Sequence, residues 1–196
     1  MEHKEYDVVV VGGGAAGLMA AGTAAIGGNR VLLLEKMEKT GRKVRITGKG
    51  RCNLTNVCTD EEFLAKVQNG AGFFTYAYTQ WNNKALIRFM ERKGVKLETE
   101  RGGRVFPKSG KAWDIAQALV DWCREEGVMI ECNAKVEKIN AIAGKVRSLT
   151  YRNARGFLRK IETPAVILAT GGASYPATGS TGDGYDFADR AGHSIV

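Results

Sequence analysis

Near its start the chain carries Gly12-Gly13-Gly14-Ala15-Ala16-Gly17, a GxGxxG pattern set by Gly12, Gly14 and Gly17. Its surroundings constrain the fold more than the glycines do. Tyr6–Val11 is a valine-rich apolar run with the length and β-branching of a buried parallel strand. Ala15–Ile26 is dense in helix-forming residues, and Gly27-Gly28-Asn29 closes it as C-terminal glycines commonly do. Arg30–Glu35 is a second apolar strand that ends in a carboxylate. Strand, glycine turn, helix and strand make a βαβ unit over residues 6–36, which requires a parallel sheet.

Each glycine has a separate physical reason. Gly12 permits the tight turn, Gly14 lets the backbone approach a pyrophosphate, and Gly17 lets helix and strand pack closely. A pyrophosphate would then sit at the helix N-terminus, where free N–H groups and the macrodipole favour negative charge. Glu35 falls 18 residues after Gly17, at the end of the second strand, where it is placed to accept hydrogen bonds from ribose hydroxyls. A carboxylate there repels a 2′-phosphate, so NADP is disfavoured as the ligand of this turn. FAD and NAD share the adenosine-pyrophosphate half, and the βαβ unit alone does not choose between them.

Residues 37–57 are rich in glycine and lysine and show no periodicity, so a long loop is expected. The stretch 60–127 reads as a mainly helical segment, with helices over Asp60–Gln68, Asn83–Lys93 and Lys111–Glu126 and a Gly102-Gly103 turn leading into Val105-Phe106-Pro107. Leu86, Phe89 and Met90 share a face of the second helix. Ile115, Leu119 and Trp122 recur at helical spacing, the stripe of a core-facing helix rather than a cofactor box. From 134 to 163 the period changes to two. Lys135–Ile142, Lys145–Tyr151 and Phe157–Glu162 read as a three-stranded antiparallel meander. Ala165–Ala169 is again a buried strand, followed by a glycine-rich loop to Gly184 and a final helix near Tyr185–Arg190.

Composition is that of a soluble globular chain: 44% hydrophobic and 26% charged residues, with no apolar run long enough to span a bilayer. Residues Met1–Asp7 lack the layout of a signal peptide, so a cytoplasmic location is the default. Cys52, Cys58, Cys123 and Cys132 have neither CxxC spacing nor scaffold density and read as reduced thiols. Lys and Arg outnumber Asp and Glu by 29 to 21. Taken as spread along the chain, that excess is a solvated face and argues against nucleic acid as a partner. His3 and His193 have no neighbours that suggest a metal or a proton relay, and no metal site is expected.

The order of βαβ unit, loop, helical segment, meander and Val166-Ile167-Leu168-Ala169-Thr170-Gly171-Gly172 resembles the FAD domain of two-dinucleotide-binding flavoproteins. Three further stretches narrow the match: Ile46–Asn56 (ITGKGRCNLTN), Gly103-Arg104-Val105-Phe106-Pro107, and Ala173–Gly184 (ASYPATGSTGDG). Together they resemble the aminoacetone-oxidase-like, BaiN-type or YhiN-type NAD(P)/FAD-dependent oxidoreductases, across essentially the whole chain.

That resemblance implies an α/β fold, a Rossmann-like FAD/NAD(P)-binding domain whose parallel sheet and crossover helices carry the meander. Gly12, Gly14, Ala16 and Gly17 would wrap the pyrophosphate, with Glu35 on the ribose and Lys36 beside it. Lys43, Gly50, Arg51, Cys52 and Asn53 would lie on the flavin side, where Arg51 meets phosphate or carbonyl oxygens. The backbone of Val136 would read the adenine edge, Ala169, Thr170 and Gly171 would line the cofactor, and Asp183 would face its polar side. Lys49 departs from the family, where glycine is common. Cys52 reads as a small packing residue, with a low-pKa redox thiol as the alternative.

By the same resemblance the family runs to about twice this length, so the C-terminus is expected to be incomplete and the remainder of the same protein to be the missing partner. Such a fragment is expected to hold FAD weakly. No catalytic acid, base or nucleophile is identifiable. The implied activity is an FAD-dependent oxidation or reduction of a small organic substrate, with NAD(P)H or dioxygen as electron partner. The alternatives are a tRNA-modifying flavoprotein and a non-catalytic nucleotide-binding fragment.

Overall fold

The strand Val8–Val11 (β1), the helix Ala15–Ile26 (α1) and the strand Val31–Glu35 (β2) open the fold as expected in a computed structural model that describes residues 6–195. His3 and the rest of Met1–Glu5 lie outside the described residues. There follow a kinked helical segment, Arg42–Gly50 (α2), a short strand, Thr55–Asn56 (β3), and three helices, Asp60–Leu64 (α3), Ala71–Gln80 (α4) and Asn83–Arg92 (α5). A hairpin of Leu97–Glu100 (β4) and Arg104–Pro107 (β5) leads to the helix Ala112–Glu125 (α6). The strands Met129–Cys132 (β6), Lys135–Ile142 (β7), Lys145–Arg152 (β8), Leu158–Glu162 (β9) and Ala165–Leu168 (β10) precede a 3-10 turn at Pro176–Thr178 and a last helix, Asp183–Arg190 (α7).

The chain forms two compact units. Met1–Val44 with Leu119–Val196 make one, and Arg45–Ala118 make the other. In the first unit a wholly parallel sheet runs in the order β10-β1-β2-β6, with Val8 level with both Ala165 and Val31. Val9, Val10 and all of β2 are buried, as central strands of a covered parallel sheet must be. The meander β7-β8-β9 packs over this sheet. Leu149, Tyr151, Val136 and Ile161 join Val9, Val11, Leu32, Leu34 and Phe187 in one apolar core. On its side of α1, Gly22 leaves room for the Trp122 ring, which a Cβ would meet at 2.5 Å. The expected core stripe of α6 holds: Ile115, Leu119 and Trp122 are all buried.

In the second unit β3-β5-β4 form a small antiparallel sheet. Thr59 and Glu62 close a reciprocal capping box that starts α3. Phe63 and Tyr78 stack with ring centroids 4.1 Å apart.

Four expectations need correction. Residues 37–57 are not all loop. Arg42–Gly50 coils into helical turns broken at Thr47–Lys49, and Thr55–Asn56 pairs with Val105 and Arg104. The helix expected over Asp60–Gln68 stops at Leu64. The helix Ala71–Gln80 was not expected, because its aromatic and threonine-rich sequence has weak helix propensity and its N-terminal Gly70 offers no side-chain cap. The strand Met129–Cys132 was not expected either. It is a half-exposed edge strand containing Glu131, without the apolar run that marks a buried one.

Candidate functional site

In the first unit the carboxyl ends of β1, β2 and β10 converge on the turn 12–14. Strand β1 leaves the sheet at Gly12, whose N–H donates to Leu34 O at 2.8 Å. Its φ of +105° belongs to glycine, and a Cβ there would lie 2.5 Å from Ala169 O. The chain after β10 is thus pressed against the turn, as Ala169 N donating to Val11 O at 2.8 Å also requires. A Cβ on Gly17 would drive into the Gly12 carbonyl oxygen, so α1 can approach its own strand only through glycine. Gly14 differs: nothing lies within 4 Å of a Cβ built there. It is the N-cap of α1, with no side-chain cap and no acidic residue in the first turn. Ala15 and Ala16 beside it are exposed. A bare helix N-terminus therefore faces open space, the arrangement that receives an anion.

Glu35 is buried, yet its carboxylate is fully oriented. Oε2 accepts from Gly13 N at 2.7 Å and Oε1 from Met37 N at 2.8 Å. Each oxygen keeps a second lone pair, so the group can still accept from a ligand hydroxyl. Gly13, which the motif leaves unspecified, is as constrained as its neighbours, because a Cβ would meet Thr40 Cγ2 at 2.7 Å. Gly41 N donates to Gly13 O at 2.7 Å and completes the clamp. These supporting residues, Gly13, Thr40 and Gly41, were missed at the level of sequence. The one available signal was the third consecutive glycine.

Lys36 does not lie idle beside Glu35. Its Nζ donates to Asp183 Oδ2 at 2.7 Å, and Thr181 Oγ1 donates to Asp183 Oδ1 at 2.6 Å. Burial pushes the Asp183 carboxyl upward, but the hydrogen bonds from Lys36 and Thr181 and the charges of Lys36 and Lys135 outweigh it and hold it below its ordinary range. Lys43 Nζ stands 5.2 Å from the Tyr175 ring centroid. Val136 has its side chain in the core, which leaves only its backbone for a ligand. Thr170 follows Ala169 at the turn, and Gly171 takes a φ of +73°.

Gly50, Arg51, Cys52 and Asn53 belong to the second unit. There Arg51 ion-pairs with Glu100 and lies 4.2 Å over the Phe106 ring. Cys52 is buried at a φ of +59°, and burial, only partly offset by a hydrogen bond with Thr47, pushes its thiol up. That is the opposite of what the redox-thiol alternative requires. All four cysteines are free thiols. Among the described residues, no group of three or more His, Cys, Asp or Glu is gathered as for a metal ion, and no helix is long and apolar enough to cross a membrane.

A family model described as the HI0933-like protein Rossmann domain matches residues 6–196. The chain is 31% identical to the 3-dehydro-bile acid delta(4,6)-reductase of Clostridium scindens, over 95% of this chain and 44% of that one. It is 27% identical to the ribosomal RNA dihydrouridine synthase of Escherichia coli, over 98% of this chain and 46% of the relative. The chain thus spans less than half the length of these curated relatives. Among solved structures, a 3-ketosteroid-delta4-(5alpha)-dehydrogenase from Rhodococcus jostii superposes with a TM-score of 0.66 at 21% identity, covering 88% of this chain and 47% of that one. The open conformation of a flavocytochrome c3 fumarate reductase gives a TM-score of 0.66 at 24% identity, covering 96% and 41%. At that identity the structural likeness is one of fold.

Proposed function

The chain belongs to the HI0933-like Rossmann domain family, and on that premise we propose that it is the FAD-binding portion of a flavin-dependent oxidoreductase. The observation that carries this reading is the uncapped start of α1. Open space lies over Gly14, and the one carboxylate at the turn is already aimed by two backbone N–H groups. A pyrophosphate fits the first feature and a ribose diol the second.

In this reading Gly14, Ala16 and Gly17 hold the pyrophosphate through backbone N–H groups at a helix positive end, and Gly12, whose own N–H is spent on Leu34 O, shapes the turn beneath it. Glu35 accepts from the adenosine ribose and deters a 2′-phosphate. The Lys36–Asp183 pair ties the end of β2 to the start of α7 and keeps the loop after Gly171 at the cofactor's edge. Ala169 and Thr170 line that edge, the Val136 backbone reads the adenine, and Lys43 with Gly50–Asn53 serves the flavin side. Bound flavin supplies the electron transfer, and the protein supplies position and electrostatics. The substrate of the whole protein is a small organic molecule, its electron partner a nicotinamide or dioxygen. The C-terminal part that its relatives have belongs with this portion.

The test is made in the complete polypeptide. Gly14→Val places a side chain in the open space over the helix start, and flavin retained through gel filtration is read by absorbance. Loss of about 100-fold or more in flavin affinity, with the melting temperature of the flavin-free protein unchanged, is the expected result. Undiminished flavin would refute the assignment.

A further inference from the structure

Directly after Glu35 stands a cation that is at odds with a site deterring a 2′-phosphate. Lys36 follows the ribose acid at the end of β2, close to where a basic side chain accommodates such a phosphate. The two residues pull in opposite directions. The carboxylate accepts from a 2′-hydroxyl and repels phosphate, whereas a free ammonium one residue away would attract it. The charges around them do not decide the matter, since Lys39 and Arg42 follow along the chain, Glu38 pairs with Arg42, and Lys135 lies close enough to act on Asp183.

The conflict is resolved from the far end of the chain. Lys36 Nζ donates to Asp183 Oδ2 at 2.7 Å and to Thr181 Oγ1 at 2.5 Å, and Thr181 Oγ1 donates in turn to Asp183 Oδ1 at 2.6 Å. Two of the three ammonium hydrogens are thereby used within one closed ring of hydrogen bonds. The Lys36 and Asp183 side chains keep only 21% and 28% of their exposure, so water competes weakly for the pair. The loop before Asp183 is also pressed onto the lysine. Gly179 takes a φ of +94°, and a Cβ there would lie 3.0 Å from Met37 Cγ and 3.4 Å from Lys36 Cε. Arg42 Nη2 donates to Ala177 O at 2.9 Å on the same loop. Burial pushes the Asp183 carboxyl up, but Lys36, Thr181 and Lys135 hold it below its ordinary range, so at neutral pH it is an anion.

We propose that Asp183 is a positioning residue for nucleotide specificity: by holding Lys36 it denies the adenosine site a cation for a 2′-phosphate, so that the site takes adenosine with a free 2′-hydroxyl and rejects the 2′-phosphorylated form. The inference rests on the reading of the turn 12–17 and Glu35 as an adenosine diphosphate site. Glu35 alone is an incomplete filter, because an unpaired ammonium beside it would offset its charge. With Lys36 and Asp183 cancelling each other, the Glu35 carboxylate is left standing against an incoming phosphate. Discrimination is thus shared between an acid that closes β2 and a second acid, 147 residues from Lys36, that opens α7.

The experiment is calorimetric titration of the complete polypeptide, freed of flavin, with ADP-ribose and with 2′-phospho-ADP-ribose, which differ only at the 2′ position. The wild-type protein should prefer ADP-ribose by about tenfold or more. Asp183→Asn should narrow that ratio about fivefold or more by tightening the phosphorylated ligand, and the gain should shrink as salt is raised. Adding Lys36→Met to Asp183→Asn should return the ratio to the wild-type value, which a merely structural role for Asp183 would not predict. Circular dichroism checks that each variant is folded. A ratio unmoved by Asp183→Asn, including a parallel loss of both ligands, would overturn this inference alone, and so would a gain that survives in full without Lys36. Failure of the wild-type protein to bind ADP-ribose would overturn it together with the adenosine reading.

Discussion

Two glycine-rich segments, 12–17 and 46–53, look alike in sequence and differ in what their backbone is for. In the first, three of four glycines are forced by close approach: to Ala169 O at Gly12, to Thr40 at Gly13, and to the Gly12 carbonyl at Gly17. The fourth, Gly14, is surrounded by nothing. The second segment includes left-handed residues that are not glycine, Lys49 at φ +57° and Cys52 at φ +59°. Its polar side chain turns inward to its own unit, with Arg51 on Glu100 and Phe106. Gly50 in the second segment is open as well, but at a φ of +85° that its turn requires, whereas Gly14 is open at a helix N-cap in extended backbone.

The largest test of that contrast sets Gly17→Val against Gly14→Val. The first should cost about 3 kcal/mol or more, since the turn has no room to yield, and should show as a collapse in thermal stability. The second should leave stability within about 0.5 kcal/mol while removing flavin from the complete protein. Equal destabilisation by both would break the distinction.

A middle-sized effect is expected at the Lys36–Asp183 pair, which lies beside the open turn. A carboxyl held below its ordinary range contributes stability above its unfolded pKa, and the contribution is lost as pH falls through the folded value. Asp183→Asn should therefore cost about 1 kcal/mol at neutral pH, by urea denaturation of the partly exposed pair, and progressively less under strong acid. A penalty that grew on acidification would show that the pair has the opposite linkage.

Arg51→Ala should cost about 0.5–1 kcal/mol through lost cation–π contact and ion pairing at a half-exposed site. Flavin retention in the same variant sharpens the comparison. A stability loss with flavin unchanged would make the segment purely structural, and loss of both would give Arg51 two roles. The smallest effect runs the other way. Lys49→Gly relieves a left-handed side chain and should stabilise by about 0.5–1 kcal/mol in the same denaturation assay. A destabilising Lys49→Gly would mean that the lysine makes a contact which outweighs its strain.

Much of the first unit is legible in the sequence because its signals are local. Val8–Val11, Ala15–Ile26 and Val31–Glu35 alternate apolar run, helix formers and apolar run, and glycine marks each change of direction. The meander announces itself by a period of two and by the turns at Ala143-Gly144 and Asn153–Gly156. The elements missed carry weak local signals. Ala71–Gln80 is helical against its propensity, and Met129–Cys132 is a strand because β2 offers it an edge.

The sequence by itself determined the βαβ unit, the uncapped glycine start of α1, and the acid that closes β2, since strand, turn and helix period are properties of neighbouring residues. Only the tertiary structure decided that Gly14, of the four glycines at 12–17, is the open one, that Glu35 is aimed by Gly13 and Met37, and that Lys36 is spent on Asp183, 147 residues away. It also decided that Arg155, Phe157 and Arg159 share a cavity with Glu131. Contacts between residues far apart in the chain depend on how sheets stack and where their edges fall, and no local period encodes that.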